Sequence, residues 1–186
     1  MYKIILLLTV LIFTGCEDHT ASEIEQITAY YKGFQDSDFN QIKETIADSI
    51  TLVEGSYKMA YSKEGFHEHF KWDSVFNPSY QVVKIEPKED QYVAEISVSS
   101  SRFKFLKNNP LVSKQRFYFK SGQINRIENV GFIGTDWQQW TAQKEALIGW
   151  IAIHHPELDG FINDLTMQGG IDYLQAIKLY QNRERS

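Results

Sequence analysis

Hydrophobic and polar positions along this chain change period several times, and each change marks an element. A run from Ile4 to Phe13, apolar but for Thr9, follows Lys3. Ser22 with Glu25 forms a capping box, and Ile24, Ile27, Tyr31 and Phe34 then recur at helical spacing, predicting a helix closed by Gly33 and the polar stretch after it. A shorter helix is predicted from Asp38, with Phe39, Ile42 and Ile46 on one face. Ile50-Thr51-Leu52-Val53 is a β-branched run stopped by Glu54-Gly55-Ser56, which reads as a strand and a turn, and the weak alternation of Tyr57 to Tyr61 suits a pairing partner.

Ser62 is placed to cap a third helix whose Phe66, His69, Phe70 and Asp73 share a side, ending before Asn77-Pro78. Ser79 to Pro87, Gln91 to Leu106, Leu111 to Lys120 and Gln123 to Ile133 are rich in Val, Ile, Tyr and Phe. The turns between them, at Lys88-Glu89-Asp90, Asn108-Asn109-Pro110 and Ser121-Gly122, are short, so an antiparallel meander is predicted. From Asp136 the helical period returns through Trp137, Trp140, Leu147, Trp150, Ile151 and His154 up to Pro156. A brief helix is predicted between Pro156 and Leu165, broken by Gly169-Gly170, and Ile171, Leu174, Ile177 and Leu179 carry a last one.

A hydrophobic fraction of 42% with 14% aromatics describes a folded chain rather than a disordered one. Cys16 is the only cysteine, so no disulfide forms within the chain. Lys3, the apolar run, Thr14 and Gly15 make the three parts of a secretory signal peptide, and about ten apolar residues fall short of the ~20 that span hydrocarbon. Gly15-Cys16 resembles the lipobox of bacterial lipoproteins, although Phe13 stands where that motif usually has Leu. The resemblance implies a signal peptide over 1–15, lipid on Cys16, a short tether over 16–22 and a membrane-anchored life in the cell envelope after export. An ordinary secretory peptide with Cys16 as a free thiol is the alternative. Loss of Lys3 takes the net charge from −5 to −6, the wrong sign for a nucleic-acid footprint.

Ile27-Thr28-Ala29-Tyr30-Tyr31 leading to Asp36-Ser37-Asp38-Phe39-Asn40-Gln41-Ile42, then Ile46-Ala47-Asp48-Ser49-Ile50-Thr51-Leu52, and Phe117-Tyr118-Phe119-Lys120-Ser121-Gly122-Gln123-Ile124, carry a further likeness. In this order of elements the chain resembles the nuclear transport factor 2-like superfamily, also called SnoaL-like or ketosteroid-isomerase-like. The resemblance implies an α+β fold over 23–133: a curved antiparallel sheet forming a cone, with N-terminal helices on its concave face. Residues 134–186 are a C-terminal helical extension to that fold. Many members of the superfamily are enzymes acting on hydrophobic small molecules, and others are binding or scaffolding modules, so the fold does not choose a function.

Family enzymes use a pocket carboxylate with a Tyr or Asp donor, which directs attention to Tyr30 and Tyr31 on the first helix and to Arg126 and Glu128 on the last strand. Tyr30 and Tyr31 either offer a hydroxyl to the pocket or simply pack. Arg126 and Glu128 share a face with Ile124, Val130 and Phe132; they enter the pocket in one register and face solvent in the other, where Ile127 and Ile133 turn inward. Glu95, Ser97, Ser99 and Ser101 alternate against Tyr92, Ala94, Ile96 and Val98 and are expected to face away from the core. Lys104, Lys107, Lys114, Arg116 and Lys120 read as a solvated face or a surface for an anionic partner. His67 and His69 project about 200° apart on a helix, and no metal site is expected. No nucleotide, dinucleotide or nucleophile-elbow motif is present, and no cofactor is implied. The aromatic face after Asp136 packs on the sheet's outer surface or across the pocket mouth, or else docks a homodimer partner or an envelope protein. Together these observations predict a membrane-anchored module that binds an apolar small molecule or a protein. A ketosteroid-isomerase-like acid–base enzyme and a structural envelope protein are the alternatives.

Overall fold

The computed structural model describes residues 19–89 and 91–183; the expected signal peptide, Cys16 and the start of the tether lie outside them. Helix α1 spans His19–Gln35, so Ser22 lies inside the helix and is not its N-cap. No Gly or Pro interrupts His19–Ser22, and nothing there stops the helix from extending a further turn. Helix α2, Phe39–Thr45, begins where the Asp38 side chain accepts from the Asn40 amide at 2.9 Å. Ile46, expected on that helix, is already extended and opens strand β1, Ile46–Glu54. At Gly33 a Cβ would sit 2.5 Å from Ile42 Cγ1, so the glycine lets α2 fold back closely on α1.

Strand β2, Tyr57–Ser62, pairs antiparallel with β1, and α3, Lys63–Ser74, starts with Ser62 Oγ accepting from the Gly65 amide. Strands β3 (Ser79–Lys88), β4 (Gln91–Ser99), β5 (Leu111–Lys120) and β6 (Gln123–Ile133) form the predicted antiparallel meander. The sheet order is β2-β1-β6-β5-β4-β3, and β1 joins β6 in parallel. The predicted strand 91–106 is interrupted. Ser100 Oγ accepts from the Phe103 amide and caps a short helix α4, Ser101–Phe105, turning Phe103, Phe105 and Leu106 into the interior.

In the β3–β4 and β5–β6 ladders three residues have no partner opposite and bulge out: Val83 in β3, and Asn125 and Val130 in β6. Bulges increase local twist and reset which residues face which side. They bend the sheet around α1, so that Ile27, Tyr30, Tyr31 and Phe34 meet Ala94, Ile96, Phe117, Ile124 and Ile127 in one buried core.

A second core gathers Trp72 of α3, Phe76, Phe105 and Leu106 with Leu147 and Ile151 of α5 (Trp137–His154) and Tyr173, Ala176 and Ile177 of α6 (Met167–Asn182). Two 3₁₀ turns, Pro156–Leu158 and Phe161–Asn163, replace the expected brief helix. Gly169 and Gly170 do not break a helix; they form the first turn of α6 behind a Thr166 N-cap. A Cβ on Gly170 would lie 2.9 Å from the Trp72 carbonyl oxygen, so its missing side chain is what seats α6 on α3. Trp140 packs against both cores and joins the extension to the cone.

Candidate functional site

Where the concave face is not filled by α1, a cavity remains in two lobes. The inner lobe, about 220 Å³, is walled by Tyr30, Tyr31, Phe34, Leu52, Met59 and Ile127. The outer lobe, about 390 Å³, adds Trp72, Asp73, Arg102, Ser113, Trp137 and Trp140. Glu54, His69, Tyr80, Gln115 and Asn129 border both lobes and mark their junction.

The strand residues of the junction are there because their strands alternate, or because a bulge corrects the alternation, and His69 comes from helix α3. On β5 the inward positions are Ser113, Gln115 and Phe117, opposite Phe132, Asn129 and Ile127. The Tyr31 hydroxyl donates to Gln115 Oε1, and Gln115 Nε2 donates to Ser113 Oγ at 3.0 Å. That chain commits the buried Tyr31 hydroxyl to the sheet. Burial also pushes the Tyr30, Tyr31 and Tyr80 hydroxyls well above the usual tyrosine range, so all three stay protonated.

Asp73 is only 8% exposed, and its Oδ2 accepts from the Tyr80 hydroxyl at 2.6 Å. One turn earlier on α3, His69 faces the same space, and its Nδ1 is shielded without a hydrogen-bond partner. Burial holds the imidazole below its usual range; the Asp73 charge opposes this and Arg102 adds to it. The outer lobe therefore combines a buried carboxylate held by a hydroxyl donor with a histidine disposed to be neutral at pH 7. Among the described residues no group of three or more His, Cys, Asp and Glu side chains is arranged to hold a metal ion.

Arg102 reaches the lobe from α4. Its guanidinium carbon lies 4.7 Å from the ring centroids of both Trp72 and Phe103 and 5.3 Å from that of Phe76. Trp137 forms the mouth. The side chain of Asn108, 7% exposed, accepts from the Asp136 amide at 2.7 Å and donates to the Asp136 carbonyl at 3.1 Å, which clamps the chain just before α5. Trp137 remains 46% exposed, edge-on to Phe132 and Trp140.

The sequence-predicted residues divide. Tyr30 and Tyr31 both line the inner lobe. Arg126 and Glu128 are not in the cavity. The bulge at Asn125 lets Ile124 and Ile127 both point inward and sends Arg126 and Glu128 to the outer face, opposite Tyr118 and Arg116. There Glu128 Oε2 accepts from Arg126 at 3.0 Å and from the Tyr118 hydroxyl at 2.9 Å. Glu95 faces outward 3.5 Å from Lys114, as the alternation predicted. Asp73, Arg102, Gln115 and Asn129 were not singled out as site residues. A carboxylate one turn from a histidine on an otherwise apolar helix face was the available signal for Asp73.

No family profile and no curated protein sequence matches this chain. Solved structures do. TerC co-crystallised with polyporic acid superposes with a TM-score of 0.51 at 18% identity, over 67% of this chain and 98% of its own. A protein of Kribbella flavida DSM 17836 provisionally assigned as a ketosteroid isomerase gives 0.50 at 7% identity, over 62% and 81%. A protein of unknown function with a cystatin-like fold from Methylobium petroleophilum PM1 gives 0.50 at 15% identity, over 62% and 78%. The chain thus shares a cystatin-like α+β fold with these proteins, and at these identities the likeness is one of fold alone.

Proposed function

We propose that this protein is a lipid-anchored module of the bacterial cell envelope that binds a small amphipathic molecule in its cone. The observation that carries the binding reading is the two-lobed cavity: an inner lobe walled mainly by aromatic and aliphatic side chains opens into an outer lobe lined by Asp73 and Arg102, with Gln115 between them. Pockets of this type bury the apolar body of a ligand and fix its orientation with few polar groups. A neutral ring compound such as 2-naphthamide is the first probe. Saturating probe raises the melting temperature of the parent by several degrees, as mass action requires of a ligand that binds only the native state. Leu52→Trp fills the inner lobe and removes the shift; equal shifts in parent and variant would place the probe elsewhere and defeat the reading.

Anchoring rests on Gly15-Cys16 and the apolar run before it. Two or three acyl chains suffice for durable attachment, at about 0.8 kcal/mol per buried methylene. Fatty-acid labelling of the exported protein is expected to vanish in Cys16→Ser. Label that persists in the variant would sink the lipoprotein reading.

A second reading, that the module is an enzyme, is favoured by Asp73 with Tyr80 at 2.6 Å beside His69, since acid–base catalysis needs a carboxylate or histidine and a donor within hydrogen-bond reach. Turnover that Asp73→Asn lowers by about 10²- to 10⁴-fold is its signature.

A further inference from the structure

Arg102 is placed unlike any other cation of the described residues. Its guanidinium is held among the rings of Trp72, Phe76 and Phe103, and its Nε is shielded without a partner. No carboxylate among the described residues forms an ion pair with it: Asp73, on the same lobe, is engaged by the Tyr80 hydroxyl, and Glu54, at the junction of the lobes, is itself exposed. Its two terminal nitrogens have no protein partner either and, unlike Nε, are not shielded. A second buried donor on the same wall, Trp72 Nε1, is also unpartnered, although Trp72 is only 7% exposed.

Arg102 is half-buried, and a charge drawn partly out of water is commonly paired, because desolvation without compensation is costly. Cation–π contact restrains the plane of this guanidinium and leaves its hydrogen-bonding edge unused. A planar fork with free terminal N–H groups is the geometry that takes a carboxylate bidentately. We infer that the outer lobe is the head-group site for a carboxylic acid with an apolar body, the carboxylate meeting Arg102 and the body entering the inner lobe between Tyr30, Leu52 and Ile127. This inference rests on the cavity being the ligand site and adds to it the chemical class of the ligand. Helix α4 is the element that brings Arg102 to the lobe.

The test compares 2-naphthoate with its neutral amide by equilibrium titration. The parent is expected to bind the carboxylate at least about tenfold more tightly, the ratio that one charge-assisted hydrogen-bonded pair supports. Arg102→Gln abolishes that preference while holding amide affinity within about threefold, and Arg102→Lys restores part of it through charge alone. Lys104→Gln, on the same helix but exposed, leaves the preference unchanged, which separates Arg102 from the general field of the protein. Should Arg102→Gln not fold, the parent's own ratio and that of Arg102→Lys decide. A parent that binds both probes equally overturns the carboxylate site and leaves the cavity reading standing. A parent that binds neither overturns both.

Discussion

His69 is the residue whose environment has the clearest consequence for pH. Its ring lines the cavity and stacks near Trp72, with Asp73 and Arg102 the charged groups that act on it. Burial lowers its proton affinity in the native state below the ordinary value of 6.5. Between that lowered value and 6.5 the unfolded chain binds more protons than the native one, so native stability is full above about pH 6.5 and falls as the pH drops below it. The parent is therefore expected to lose more melting temperature from pH 7 to pH 5 than His69→Gln does. The carboxylates held low by surface partners, such as Glu68 and Glu86, contribute to both proteins alike. Parallel profiles for the two proteins would show that His69 titrates as freely when folded as when unfolded.

At the scale of elements, what was legible in the sequence was what local physics decides. Asp38, Ser62 and Asp136 each cap a helix with their own side chain, and the strand alternation of Tyr92 to Ser99 appears residue by residue as buried and open positions. What was not legible depends on partners distant in sequence. The bulges at Asn125 and Val130 are features of how β6 pairs with its neighbours, and the one at Asn125 decides that Asn129 enters the cavity while Arg126 and Glu128 leave it. A period-two reading of β6 carries no mark of the extra residue. The break at Ser100 was hidden for another reason. Ser101 to Phe105 has aromatic, strand-like composition, and the helix forms because Ser100 caps it, Ser101 reaches the Phe76 carbonyl and the second core takes up Phe105. Gly169-Gly170 was misleading in the opposite sense: these glycines cost helix propensity, but a Cβ would press on Asp164 at Gly169 and on the Trp72 carbonyl at Gly170. The candidate site was legible to the extent of Tyr30 and Tyr31, which lie on a helix with a regular stripe, and obscure where a bulge or an interrupted strand delivers the side chain.

For the whole molecule, the C-terminal extension decides both the stability of the cone and the form of its cavity. Trp72, Phe76, Phe105 and Leu106 belong to the sheet-and-helix body, yet their buried faces are covered by Leu147, Ile151, Tyr173 and Ile177. Removing residues 134–186 uncovers those four large side chains at about 1.5–3 kcal/mol each. That sum is comparable with the 5–15 kcal/mol by which a typical domain is stable. It also strips Trp137 and Trp140 from the outer lobe and removes Asp136, the backbone partner of Asn108. The truncated chain is thus expected to aggregate, or to remain soluble but melt at least ten degrees lower, given about 2–4 °C per kcal/mol for a protein of this size. Size-exclusion chromatography with thermal melting of chains ending at Ile133 and at Ser186 separates the possibilities. A truncated chain that stays monomeric and melts with the parent would make the extension an appendage, and the exposed Trp137 would then belong to a docking surface and not to the wall of a ligand site.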